Sequence, residues 1–147
     1  MKTIKQIVAG VALLLPALFS ACGGAGSYPL EYIGFEKSTQ EVEFNPSLSE
    51  YVFTAKIIAG DKSTDDRTLS ITGNRKPGET GQVFTIETPT VTIAAKQKAA
   101  EVKVKIYPPQ IKGRRDIILT CTPKNITGAK STQLRVTLTP AQTKQKN

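Results

Sequence analysis

The 147-residue sequence predicts an all-β domain, two antiparallel sheets packed face to face as a sandwich of about 7–8 strands. From residue 30 onward apolar residues recur at every second position, and no window of a dozen residues shows the three-to-four spacing of an amphipathic helix. Val, Ile, Thr, Tyr and Phe dominate those runs, as strands prefer. Clusters containing Gly, Pro and Asn punctuate them at short intervals.

The first element stands outside that domain. Lys2 and Lys5 precede an unbroken low-polarity run from Ile7 to Phe19, and small residues follow around Cys22. This is the order of an export signal. As a helix the run would rise only about 20 Å against a hydrocarbon core of about 30 Å, and Pro16 interrupts it, so no lasting membrane span is expected. Secretory cleavage just before Cys22 would set bulky Phe19 where a small side chain is needed.

The string Leu18-Phe19-Ser20-Ala21-Cys22-Gly23-Gly24 instead resembles a bacterial lipoprotein signal. The resemblance implies that residues 1–21 are a lipoprotein signal peptide and that Cys22 becomes the first residue, with diacylglycerol on its thiol. Secretory cleavage after Ala25, with Gly23 three places back, stays open as the alternative. Acyl chains at about 0.8 kcal/mol per buried methylene would hold the protein to its membrane permanently. Residues 22–29 then carry the lipid and a Gly-rich, flexible tether. At roughly 5–6 Å times the square root of its length, the tether keeps the domain within about one or two nanometres of the bilayer.

Residues 30–140 supply the sandwich. Val42 and Phe44 alternate with Glu41, Glu43 and Asn45, while Tyr51, Phe53, Ala55 and Ile57 share one face of the next strand. Leu69 and Ile71 follow, then Val83 to Ile86, then Val91 and Ile93. Val102, Val104 and Ile106 interleave with Glu101, Lys103 and Lys105; Ile117, Leu119 and Cys121 form one further face, and Leu134, Val136 and Leu138 the last. Turns are expected at Asn45-Pro46-Ser47, Ala59-Gly60-Asp61, Gly73-Asn74, Lys76-Pro77-Gly78, Pro108-Pro109 and Asn125 to Gly128. Cys121, sharing the parity of Ile117 and Leu119, reads as a core thiol. Residues 141–147 read as a disordered tail.

Phe84-Thr85-Ile86 followed by Val91-Thr92-Ile93-Ala94-Ala95-Lys96-Gln97-Lys98-Ala99-Ala100-Glu101-Val102-Lys103-Val104-Lys105-Ile106 resembles the strand pattern of small immunoglobulin-like, Calx-beta-like domains in Bacteroidetes lipoproteins. Ala94 stands where that pattern has Pro, and Gln97 near its usual Gly. The resemblance covers roughly residues 80–122. It implies an exported immunoglobulin-like β-sandwich with no catalytic residues to carry over. The chain has no Trp and no pair of domain cysteines, which excludes the antibody version of that fold.

Composition narrows function further. The chain has no histidine, so Ser-His and Cys-His pairs and the commonest metal ligand are excluded together. No phosphate-binding Gly loop, CxxC or HExxH string occurs. Asp61, Asp65 and Asp66 could supply oxygens to a calcium ion, but Lys62 and Arg67 dilute their charge and the spacing is that of an ordinary turn. Glu41 and Glu43 read as two acids on a solvent face. Asn125-Ile126-Thr127 has the form of a glycosylation acceptor, yet a lipobox belongs to a different secretory system, so it reads as a turn. No catalytic, metal or cofactor site is expected, and the protein reads as no enzyme.

Charge is unevenly distributed along the chain. Residues 31–87 carry ten acidic and six basic side chains, residues 88–147 two acidic and twelve basic. Lys103, Lys105, Lys112, Arg114 and Arg115 are the candidate contacts for a polyanion. No aromatic residue interleaves with these cations, so nucleic acid is not expected as a dedicated partner. The sequence therefore predicts a protein lipid-anchored in the bacterial cell envelope, at the outer membrane, that serves as a non-catalytic accessory or assembly module for an envelope protein partner. Its acidic half would face one partner and its basic half another. The alternative is a lipoprotein that binds acidic glycan or lipopolysaccharide through its basic half.

Overall fold

Alternation every two residues lets a strand bury one face and solvate the other, and the chain uses it from Thr39 onward. A computed structural model describes residues 28–75 and 81–142. The expected signal peptide, Cys22 and residues 143–147 of the expected tail lie outside the described residues. Among the described residues nine strands occur: β1 (Ile33–Phe35), β2 (Thr39–Phe44), β3 (Tyr51–Ala59), β4 (Arg67–Asn74), β5 (Phe84–Ile86), β6 (Thr90–Ile93), β7 (Ala99–Ile106), β8 (Arg115–Lys124) and β9 (Thr132–Pro140). Pro108-Pro109 ends β7 and opens a single 3-10 turn, Pro108–Gln110, where the missing amide protons of proline cost nothing.

The strands form two sheets, ordered β1-β3-β7-β5 and β2-β9-β8-β4-β6. The expected all-β sandwich is therefore the observed one. Every neighbouring pair is antiparallel except β2 and β9, which run parallel from Thr39 beside Arg135 to Phe44 beside Pro140. The reason lies in a strand that changes sheets. β1 pairs antiparallel with the end of β3, Ile33 opposite Ala59. The chain then crosses at residues 36–38, where Ser38 O accepts from Arg135 N–H at 2.9 Å, and continues in the same direction as β2. It meets β9 running the same way. The opposite side of the sandwich repeats the device: β5 pairs with β7, residues 87–89 cross over, and β6 pairs with β4.

Between the sheets lies one apolar layer. Ile57, Leu69, Ile93, Val102, Val104, Ile106, Leu119, Val136 and Leu138 are all but inaccessible, and Phe35 and Phe44 fill the side where the first strand crosses. Burial of each such side chain contributes about 1.5–3 kcal/mol, which is what drives the two faces together. Cys121 belongs to this layer as a free thiol. At one end of the sandwich, called proximal here, the segment Tyr28–Tyr32 meets the loops of residues 60–66, 94–98 and 125–131. At the distal end lie the loops of residues 45–50 and 107–114.

Candidate functional site

Strand length sets the most distinctive feature. β3 has nine residues, and β7 lines one side of it from Tyr51 to Ile58. Along the other side β1 reaches only Ile57 to Ala59, because the chain has by then left for the second sheet. Lys56 O accepts from Glu36 N–H at 2.9 Å and Gly60 N–H donates to Tyr32 O at 2.8 Å, so the even-numbered residues turn their backbone groups toward this side. Alternation aims those of Val52 and Thr54 the same way, beyond the reach of β1. Thr54 O accepts from the Gln40 side-chain amide at 3.0 Å. No strand among the described residues pairs with Val52 on this side.

The side chains around this edge are unusual too. Val52 is 43% exposed, and Leu48, in the turn leading into β3, is 41% exposed. With Leu30 they are the large exposed apolar side chains among the described residues. A cleft of about 290 Å³ separates the open half of β3 from β2 and is lined by Gln40, Glu41, Thr54 and Lys56. An extended peptide could enter there as an added strand, since unpaired edges are templates for pairing. The sequence held one sign of this edge that the strand reading did not use. Val52 is an apolar residue on the outward parity of a strand whose inward set is Phe53, Ala55 and Ile57.

The cationic candidates separate into two groups. Lys103 and Lys105 alternate on the outer face of β7, opposite Thr54 and Val52. Lys105 Nζ lies 3.3 Å from Glu50 and 3.3 Å from Glu87, and hydrogen bonds to Glu87 and Glu50 hold its ammonium above the ordinary lysine range. Its charge is matched locally. Lys112 and Arg114 are exposed in the distal loop, while Arg115 is half-buried where β8 begins opposite Leu138.

The acidic and basic halves of the chain do not become two faces. β7, from the basic half, lies between β3 and β5 from the acidic half, and β9 lies beside β2. The expectation of one partner for each half is corrected by this interleaving.

The aspartate loop is tied to its surroundings. Asp61 accepts from Arg67 at 2.8 Å, and Asp66 accepts from the Ala95 N–H at 2.8 Å. Asp65 N–H donates to Ser63 Oγ at 3.1 Å. No group of three or more His, Cys, Asp or Glu among the described residues is placed to hold a metal ion. Glu41 and Glu43 point outward from β2. Asn125 takes a left-handed conformation, φ 60°, in the turn after β8. Burial pushes the Cys121 thiol up to about 11, against a weaker downward pull from the hydrogen bond with Thr132. Burial also raises the Tyr32 hydroxyl, with Tyr28 adding to it.

No family model matches the chain, and no curated relative matches its sequence. Solved structures do match its fold. A protein from Bacteroides ovatus ATCC 8483, provisionally described as carbohydrate binding, superposes with a TM-score of 0.54 at 10% identity over 74% of this chain and 37% of that one. The apo-form Calx CBD1 domain gives 0.54 at 12% identity over 75% of this chain and 96% of that one. The CupB2 chaperone of Pseudomonas aeruginosa gives 0.51 at 12% identity over 71% and 55%. The chain thus spans well under two thirds of the first and third of these. At such identities the likeness is one of fold alone, a two-sheet β-sandwich.

Proposed function

We propose that the protein is a lipid-anchored component of the bacterial envelope, held at the outer membrane through Cys22. Its sandwich acts as a non-catalytic module that takes an extended segment of a protein partner as an extra strand. The observation that carries this reading is the uncovered first half of β3, with exposed Val52 beside backbone groups that β1 does not reach. Each main-chain hydrogen bond made there contributes about 0.5–1.5 kcal/mol, and burial of Val52 and Leu48 adds an apolar share. Gln40 occupies Thr54 O until a strand displaces it. Structural neighbours that are binding domains and a chaperone support a binding role, and the lipoprotein-like signal supports the location.

The test is site-specific photocrosslinking in the native host, with the crosslinker at residue 52 or at residue 103 of the full chain. The expected result is a discrete protein adduct from residue 52 that disappears on Thr54→Pro. That substitution removes an amide proton facing the open side while leaving the β7-facing bonds in place. Equal adducts from both positions, or an adduct indifferent to Thr54→Pro, would refute strand addition.

A second reading has an observation of its own. Lys112 and Arg114 stand exposed together in the distal loop, where an acidic glycan or lipopolysaccharide would contact them, while Lys103 stands exposed apart from them on the outer face of β7.

A further inference from the structure

At the proximal end an apolar side chain is held out into solvent where the chain from Cys22 arrives. Leu30 is 71% exposed, the most exposed large apolar residue among those described. Its backbone is fixed. Tyr32 N–H donates to Pro29 O at 2.9 Å, Gly60 N–H donates to Tyr32 O, and the rings of Tyr28 and Tyr32 stack at 4.8 Å. Leu30 forms a ridge between two grooves, one of about 440 Å³ toward the loop of residues 125–131 and one of about 470 Å³ toward Lys98.

Around this ridge the loops carry Lys62, Lys96, Lys98 and Lys130, all exposed and without an ion pair among the described residues. Of the acids nearby, Asp61 is matched by Arg67, while Asp66, which accepts the neutral Ala95 N–H, keeps its charge and counts against the lysines. Glu31, Asp65 and Asp66 together offset part of the lysine charge, and Lys124 at the end of β8 keeps the balance positive. An exposed aliphatic side chain ringed by lysines matches the boundary between acyl chains and anionic headgroups, where each lysine is attracted to lipid phosphate.

We propose that this proximal end is a membrane-docking surface, with Leu30 entering the headgroup boundary and Lys62, Lys96, Lys98 and Lys130 meeting the phosphates of anionic lipids. The inference rests on the reading of Cys22 as the lipidated residue. Six peptide units separate Cys22 from Tyr28, so the domain stands at most about 20 Å from its anchor. At that range docking is intramolecular, with an effective concentration on the order of millimolar, and a weak surface is enough. The docked domain would present its distal loops, and the open half of β3 above the bilayer, to other proteins.

The test uses the full lipidated chain recovered from its membrane and placed in vesicles of phosphatidylethanolamine with phosphatidylglycerol, or of phosphatidylcholine alone. Exposed lysines are acetylated and read by mass spectrometry. The expected result in the anionic vesicles is at least threefold lower modification of Lys62, Lys96, Lys98 and Lys130 than of Lys112, with the gap closing in phosphatidylcholine and narrowing for Leu30→Asp. Equal modification of both groups in anionic vesicles overturns the inference. Protection that persists in phosphatidylcholine, or in detergent without vesicles, also overturns it, because a second protein copy then covers this end. The same spectra report the mass of Cys22. An acylated Cys22 with unprotected lysines removes the docking surface alone, whereas an unmodified Cys22 removes the anchor and this inference with it.

Discussion

The carbonyl oxygen of Pro29 lies so close over Gly60 that a β-carbon at Gly60 would stand 1.9 Å from it. Glycine is required there by the neighbouring backbone and not by its own torsion, and the contact seats the segment Tyr28–Tyr32 on the end of β3. Gly60→Ala is expected to force that segment away, breaking the bond from Gly60 N–H to Tyr32 O. The cost should be about 1–3 kcal/mol, seen as a lower denaturant midpoint with an unchanged slope. The variant should also lose lysine protection at the proximal end. An unchanged midpoint would mean that the segment is not seated as described.

Cys121 makes a pH-dependent prediction with a definite sign. Its thiol is neutral in both folded and unfolded chains below its ordinary value of 9.0, so its stabilising share is complete there. Between that value and about 11 the unfolded chain releases the proton while the folded chain keeps it, so stability falls as pH rises. Tyr32 and Lys105 are raised as well and lose stability in the same direction. Cys121→Ala should lower stability at neutral pH through the cavity it leaves, yet flatten the alkaline decline relative to the wild-type chain. Native protein should resist thiol reagents near neutral pH and react once unfolded. A parallel decline in both chains would contradict the assignment.

Much of this fold was legible because the buried layer obeys strand parity. Val42, Phe53, Leu69, Val91, Val102, Ile117 and Leu134 all fall on the inward set that the alternation marks. β1 was not legible. Ile33, Gly34 and Phe35 are all buried, so no alternation survives, and the strand is too short to show a period. Gly34 sits there because a β-carbon would meet Thr132 Oγ1 at 2.3 Å, a contact between residues far apart in sequence. The parallel pairing of β2 with β9 was hidden for the same reason, since it follows from β1 pairing first with β3. The open edge of β3 is the consequence of both. Charge counted along the chain likewise misled, because antiparallel pairing brings Glu50 and Glu87 to Lys105.

That pairing separates the cationic candidates experimentally. If the protein retains on immobilised heparin, Lys112→Ala with Arg114→Ala should lower the eluting salt concentration clearly, and Lys103→Ala should lower it less. Lys105→Ala should lower it no more than Lys103→Ala, because Glu50 and Glu87 already hold its ammonium and leave little of its charge for a polyanion. An effect of Lys105→Ala as large as that of the distal pair would show the ion pairs to be ineffective. Retention insensitive to all four substitutions would remove the polyanion reading.

The turn between β6 and β7 offers a last test, at a position where the sequence departs from the strand pattern it resembles. Gln97 N–H donates to Ala94 O at 3.0 Å, closing a turn, and Lys96 within it adopts φ 64°. This left-handed conformation costs a residue with a β-carbon about 1 kcal/mol, which glycine avoids. Lys96 holds it because its N–H donates to Ser63 O at 2.6 Å, locking the turn against the aspartate loop. Lys96→Gly should therefore stabilise the fold slightly, by less than about 1 kcal/mol, since the freer unfolded chain offsets part of the relief. Lys96→Val should destabilise it by about 1–2 kcal/mol, because a β-branched side chain tolerates positive φ least. The two variants differ in backbone preference while both remove the same charge. Opposite shifts in denaturation midpoint would therefore locate the effect in the turn, and equal shifts would place it in the lost lysine.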